Sequence, residues 1–445
     1  MTSHSSSAVV WFRSDLRLDD NPAWAAATSR HDRVLALFVL DGRLMQSGGV
    51  HRRALFSAHL GALDSSLREF GGQLVVRSAD ESLPLAQAAA AAVVEAVADV
   101  GASEVHLNAD VGRLAQQRDA LVAQRLSEQH GVKVHPWWGR TVHRAGTVLT
   151  KQGTLSRVFT PFHKRWEATV LDDWPEPGDA EVLTAGELTG ECVEPPEPEG
   201  SPCMAPGEGA AVARLAGWLA SVDDYDETRN IPAMAGTSQL SADLRFGTIA
   251  ARRIAEEVGT STKGRAAYVR QLAWRDWYTH MMWEMPSMVD RAVRSEYDAI
   301  DWQDDPDEFA AWCAGRTGYP IVDAGMRQLV ETGWMHNRLR MICASFLVKD
   351  LLVDWRKGER FFRHHLIDSD LAQNVGNWQW VAGTGLDAAP YFRVFNPTAQ
   401  QQKWDPEGDF VSQWIDPADA DYPEPIVEHA PARERALAAY KAALD

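Results

Sequence analysis

Cysteine is scarce: four in 445 residues (Cys192, Cys203, Cys313, Cys343), none in a C-x-x-C pair. So few, so spaced, neither staple a chain of this length nor suggest a thiolate zinc site, so the expectation is reduced structural thiols, no disulfide and no metal. Long apolar runs are also missing. None approaches the roughly 18 residues needed to cross a bilayer, and no membrane association is expected. The opening MTSHSSSAVVWF has no basic stretch and no apolar core of signal-peptide length, so a cytoplasmic location is expected. No G-x-G-x-x-G follows the first apolar run, where FRSDLRLDDNPAW stands instead, and neither a P-loop nor H-E-x-x-H occurs. The near match at Gly383-Thr384-Gly385 follows a tryptophan-rich stretch rather than a strand. Rossmann oxidoreductases, P-loop nucleotidases and zincins are thereby excluded. There is no internal repeat.

Positive charge is in deficit as well, with a net −18, which at first sight disfavours a phosphate-rich partner. Eleven acidic residues and no basic one lie between 171 and 208, however, leaving −7 for everything else. That stretch is also rich in proline and glycine and cannot bury enough apolar surface to fold alone, so it reads as a linker.

What is present implies more than one domain, since single cores stop growing near 250–300 residues. Residues 8 to 138 alternate apolar runs (AVVWF, VLALFVLD, QLVVRSA, EVHLNAD, KVHPWW) with helical patterns. Consecutive apolar residues mark strands buried on both faces, and the alternation predicts a doubly wound parallel sheet of five strands with covering helices. The expected layout is an α/β domain over 1–138, an interdomain linker over 139–209 and an all-α domain over 210–445. The last holds twelve of the eighteen tryptophans.

Two helices there mix aromatic and charged residues. The spacing predicts a helix over 337–354 whose apolar stripe is Leu339, Ile342, Phe346, Leu347, Leu351 and Leu352. Trp334, Arg338, Met341 and Ser345 then share the other side. A second helix, near 268–282, places Gln271, Trp274, Arg275 and Tyr278 on one face. An aromatic, a guanidinium and a thioether side by side suit a flat, partly apolar, anionic ligand such as an extruded base pair; ordinary helix packing explains the same residues. Asp368, Asp370 and Asn374 follow, able to hold arginine or ribose hydroxyls, or simply to be solvated. Thr237, Ser238 and Ser241 cluster at a helix start, which suits either phosphate binding or plain capping.

The motifs VVWFRSDLRLDDNPA, TSQLSADLRFGTIA, TGYPIVDAGMRQL, WMHNRLRMICASFLVKDLLVDWR and NWQWVAGTGLDAAPYFRVFNP cover nearly the whole chain. In them it resembles the photolyase/cryptochrome flavoproteins, and among these the class I cyclobutane pyrimidine dimer photolyases. The resemblance implies an α/β antenna domain and a helical FAD-binding domain. It implies that Tyr225, Thr237, Ser238, Leu240, Ser241, Arg275, Arg340, Asp368, Asp370 and Asn374 surround FAD, with Asn374 at flavin N5. Arg229, Gln271, Trp274, Asn337, Arg338, Met341 and Trp380 would receive a flipped dimer, and Trp302, Trp355 and Trp378 would relay electrons to the flavin.

The implied activity is light-driven repair of DNA by a monomeric carbon–carbon lyase; the alternative is a cryptochrome-type photoreceptor without repair. Asn374 favours repair. Gln271 stands where many dimer photolyases have glutamate; an amide still hydrogen-bonds the base edge but carries no charge. The (6-4) photolyases share that glutamine but have histidines at the positions of Asn337 and Met341. The segment NADVGRLAQQRD lacks the asparagine–glutamate pair of the folate-binding enzymes, so a deazaflavin antenna is expected over methenyltetrahydrofolate. Arg356, Lys357, Arg360, Arg363, Arg393 and Lys403 are candidate phosphate contacts, or a solvated face.

Overall fold

The computed structural model describes residues 5–303, 305–416 and 418–444. By contact the chain divides into two compact units that interleave along the sequence. One comprises Met1–Leu149, Lys164–Gly217 and Gln239–Gly259; the other Thr150–His163, Trp218–Ser238 and Thr260–Asp445. No described helix is long and apolar enough to cross a membrane, and the four cysteines are free thiols.

The first unit is built on parallel strands β1 (Ser7–Phe12), β2 (Arg33–Leu40), β3 (Leu74–Ser78), β4 (Glu104–Asn108) and β5 (Lys133–Trp137), in the order β3-β2-β1-β4-β5. These are the five apolar runs seen in the sequence. Every residue of β1 is buried, as a strand covered on both faces requires. The acidic stretch is less idle than a linker: within it β6 (Glu181–Val182) pairs in parallel with the start of β2.

Asn21 caps the helix Pro22–Arg30 by accepting from the Ala23 and Trp24 amides. Arg17, fully buried beside it, donates to the carbonyls of Asp20, Gly139 and Gly247. The run FRSDLRLDDNPAW that replaces a glycine-rich loop is therefore a brace for its own turn.

The second unit is helical. The helix expected over 337–354 is α-helical only for Asn337–Ser345, and Phe346–Asp350 continue as a π-turn. Leu352 then takes φ 52°, a left-handed conformation costly for leucine, so the helix cannot run on to 354. The wider turn keeps Lys349 inside, its ammonium donating to the Ala382 carbonyl at 3.0 Å and lying 3.4 Å over the Tyr440 ring. The helix Lys263–Glu284 contains the segment expected near 268–282.

Two close approaches bring the site helices together. A side chain at Gly376 would come 2.2 Å from the Tyr278 ring, and one at Gly358 would come 2.2 Å from Trp378. Only glycine lets the helices Leu371–Ala382, Lys263–Glu284 and Trp355–His365 pack this tightly.

Candidate active site

The helices of the second unit enclose a cavity of about 600 Å³, within the range of small-molecule and cofactor sites. Its wall contains all seven residues assigned to a substrate pocket: Arg229, Gln271, Trp274, Asn337, Arg338, Met341 and Trp380. It also contains seven of the cofactor candidates: Tyr225, Thr237, Arg275, Arg340, Asp368, Asp370 and Asn374. Ser238 lies behind this wall and accepts from Tyr268 Oη at 2.7 Å. Leu240 and Ser241 belong to the first unit, where they begin the short helix Ser241–Phe246. Ser345, expected beside Arg338 and Met341, is buried instead, because residue 345 ends the α-helix and its hydroxyl accepts from the Phe395 amide at 3.4 Å.

Asp368 holds the strongest ion pair of the wall. Arg340 Nη1 and Nη2 donate to its two oxygens at 3.1 and 2.8 Å, and Arg340 Nε donates to the Met335 carbonyl at 2.8 Å. The fork fixes the guanidinium plane against the cavity. Asp370 does capping work, its Oδ1 accepting from the Ala372 and Gln373 amides at 3.1 and 3.3 Å. Gly383, in the left-handed region at φ 81°, closes the other end of that helix. Gly383 of that near match is thus a helix stop rather than part of a phosphate loop.

Asn374 is held by a residue that the sequence reading missed. Its Nδ2 donates to both the carbonyl (3.0 Å) and Oε1 (2.9 Å) of Glu359. With both amide protons directed at Glu359, the amide oxygen is the atom left for the cavity. Burial pushes the Glu359 carboxyl pKa upward, opposed by Arg363 and by the Asn374 bond. A signal was available: Trp355, Gly358, Glu359 and Phe362 form the buried face of one helix, and a carboxylate on such a face needs a partner.

His336 caps the helix Asn337–Ser345 by accepting from the Arg338 amide at 3.1 Å. Burial, with Arg340 and Arg338 nearby, lowers its pKa to about 4, so it caps as a neutral ring. Arg338 donates to Asn230 Oδ1 at 2.7 Å and lies 4.4 Å over the Trp404 ring. Gln271 donates from Nε2 to the Ala267 carbonyl at 3.2 Å, one turn back in its own helix.

Trp274 is backed by Phe159, the two rings stacked with centroids 3.7 Å apart and planes 11° from parallel. Phe159 is anchored in turn by its amide, which donates to Asp387 Oδ2 at 3.0 Å. Residue 159 fell within the expected linker, and nothing local marks it as a wall of this site. Arg270, one turn before Trp274 on the same helix, also lines the cavity; helical spacing from Trp274 would have found it.

The relay candidates sit at three depths. Trp378 lines the cavity and is buried, Trp355 is buried away from it, and Trp302 is partly exposed with its edge on Tyr440 at 6.0 Å. The ring contacts of Trp378 are to Phe362 at 5.0 Å and to Trp312 at 6.3 Å. Of the phosphate candidates, Arg356 pairs with Asp298 at 2.5 Å and Arg363 with Glu359 at 3.2 Å, and none of the six lines the cavity.

The first unit has its own cavity of about 200 Å³, at the carboxyl ends of β1 and β2. Strand order reverses next to β1, the place where open parallel sheets bind ligands. Trp11, Phe38, Phe56 and Phe246 line it with Arg13, Arg52, Arg53, Arg118 and Arg245. The guanidiniums of Arg13 and Arg118 lie 4.9 and 4.8 Å from the Trp11 ring centre. Asn108, in the segment compared with folate-binding enzymes, donates to Asp15 Oδ2 and Asn21 Oδ1, both at 2.7 Å. Its amide protons are spent inside the protein.

Residues 8–178 match the family model described as DNA photolyase, and residues 268–419 that described as the FAD binding domain of DNA photolyase. A curated relative, the deoxyribodipyrimidine photo-lyase of Escherichia coli (strain K12), is 37% identical over 100% of this chain and 99% of its own. Among solved structures, a bacterial class III photolyase from Agrobacterium tumefaciens superposes with a TM-score of 0.88 at 33% identity, covering 100% of this chain and 99% of that one. An archaeal photolyase from Sulfolobus tokodaii, solved with two FAD molecules, gives 0.84 at 31% identity, covering 98% of this chain and 100% of that one.

Proposed function

The chain belongs to the DNA photolyase family, and on that premise we propose that it repairs cyclobutane pyrimidine dimers in DNA, following the class I motif pattern. The observation that carries this reading is the shared wall of one cavity: the flavin set (Arg340, Asp368, Asp370, Asn374) and the dimer set (Gln271, Trp274, Asn337, Arg338, Met341, Trp380) face the same space. A dimer stacks and pairs poorly, so extruding it from the duplex costs less than extruding ordinary bases.

The donor set fits FAD: a carboxylate already paired with arginine, a second carboxylate, an amide oxygen and hydroxyl groups around a large partly apolar space. Tyr225, Thr237, Arg275, Arg340, Asp368, Asp370 and Asn374, which share the cavity wall, would hold it. Bound and reduced, FAD supplies the light-excited electron that opens the cyclobutane ring and receives it back.

The protein's own work is recognition and insulation. Trp274, rigid against Phe159, and Trp380 offer apolar faces to the two pyrimidines. Gln271 and Asn337 offer amides to their edges, and Arg338 and Arg229 offer charge to the phosphate. Met341 fills the space between. Glu359 fixes the orientation of Asn374, and hence which amide atom the flavin meets. Trp378, Trp355 and Trp302 lead electrons from the surface toward the cofactor.

In the first unit, which we take as the antenna domain, four aromatic rings and five arginines suit a flat, anionic light absorber. We assign it to a deazaflavin rather than to methenyltetrahydrofolate, since the segment NADVGRLAQQRD lacks the asparagine–glutamate pair of the folate-binding enzymes and both amide protons of Asn108 are spent inside the fold. The protein is read as a cytoplasmic monomer.

The test is repair itself. Under reducing conditions, blue light should restore a dimer-containing oligonucleotide to its undamaged form, and darkness should not. A preparation with full FAD occupancy that leaves the dimer intact in the light would refute the assignment.

A further inference from the structure

Outside the two cavities described above, three imidazoles converge on one carboxylate oxygen. Glu104 Oε2 lies 3.3 Å from His31 Nε2, 3.2 Å from His106 Nε2 and 3.3 Å from His135 Nε2. The sheet builds this cluster. Alternation along β4 sends Val105 and Leu107 into the core and leaves Glu104 and His106 on the opposite face. The parallel register of β4 and β5 sets His135 directly beside His106, the two rings stacked with centroids 5.0 Å apart. His31 follows the last turn of the helix Pro22–Arg30 and approaches from above.

We propose that this cluster is a divalent transition-metal site, with Zn²⁺ as the fitting ion and His31, Glu104 and His106, whose donor atoms all lie within 4.8 Å of one another, as its ligands. Imidazole nitrogen and carboxylate oxygen are the donors zinc takes, at about 2.0–2.2 Å, and two such ligands at a tetrahedral angle stand roughly 3.3 Å apart. The three measured nitrogen-to-oxygen separations have that value. They are long for charge-assisted hydrogen bonds, which sit at about 2.7–2.9 Å.

A second observation points the same way. His106 is completely buried, yet its Nε2 has no hydrogen-bond partner among the described residues, and neither has His135 Nε2. Both are aimed at the space beside Glu104. The Glu104 and His135 side chains keep 24% and 31% of their exposure, so an ion can enter from solvent. Trp137 Nε1 donates to His106 Nδ1 at 3.2 Å and holds the ring with Nε2 toward Glu104. Without metal the ring proton therefore sits on Nε2; zinc displaces it, Nδ1 takes a proton from solvent, and the contact with Trp137 parts.

No spacing motif announces such a site, because its ligands are spread from residue 31 to residue 106. An ion here would tie β4 to the helix before β2. It would raise stability by mass action and take no part in repair.

The experiment uses the full chain with its flavin, stripped with chelator and titrated with zinc chloride by calorimetry. The parent protein should bind one equivalent, and its thermal midpoint should rise with added zinc. Glu104→Gln and His31→Gln should each weaken binding at least about tenfold and abolish the thermal rise, with flavin content unchanged. Failure of the parent to bind a stoichiometric ion, or equal affinity in the parent and both variants, would overturn the proposal. A variant that loses flavin as well is replaced by His31→Asn, for which the same two outcomes apply.

Discussion

Each unit contains a cavity lined by five arginines, and the two differ in what stands between those charges. In the first unit the arginines alternate with aromatic rings, a single carboxylate and no amide. In the second they are interspersed with six amides (Asn230, Gln271, Asn337, Gln373, Asn374, Asn377) and two carboxylates. A wall of cations and rings selects for flatness and negative charge. Amides present a donor and an acceptor each, so a wall that includes them reads the edge of a heterocycle. The first cavity suits a flat anion, the second a heterocycle gripped by its edges.

The comparison breaks most visibly at Arg340. Arg340→Ala leaves the Asp368 carboxylate buried and unpaired, a loss of the kind that costs about 3–5 kcal/mol. Flavin affinity is expected to fall on the order of 100-fold or more, measured as flavin absorbance retained per protein after gel filtration. Unchanged occupancy would mean that the pair is only structural.

Trp274→Ala tests the amide-rich wall from the substrate side. A stacked base is worth about 1–3 kcal/mol, so affinity for dimer-containing DNA should fall roughly 10- to 100-fold. Flavin content and affinity for undamaged DNA should hold. A parallel loss for undamaged DNA would place Trp274 outside dimer recognition.

The smallest effect on chemistry is expected in the other cavity. Arg52→Ala should lower antenna occupancy, and with it repair in dim light, by a few-fold, as loss of one exposed charge contact implies. Repair driven by light that the flavin absorbs directly should keep its rate. An action spectrum separates the two, and a fall at both wavelengths would show that the cavities are not functionally independent.

Much of this was legible before any coordinates. Part of the wall of the larger cavity was legible because its residues come from helices, and helical spacing fixes which side chains share a face; the other residues named for it came from the family resemblance. Gln271, Trp274 and Arg275 needed only that periodicity, as did Arg338 and Met341. The failures lie where periodicity ends. Ser345 was assigned to the open face because helical spacing cannot see the distant segment around Phe395 that covers it. Phe159 went unnoticed because its segment looks like a loop, although the ring lies flat on Trp274.

By itself, then, the sequence determined the class of each unit, the five strands and the burial of all but β5, whose residues stay partly or fully exposed, the positions of the site helices and the family whose motifs they carry. These depend on local propensity and on the two short periods of side-chain direction. Tertiary structure alone decided that Glu359 orients Asn374, that Phe159 supports Trp274, and that three histidines meet at Glu104. Each of those contacts joins residues on different elements, and where they meet depends on how whole helices and strands pack, which no local pattern specifies.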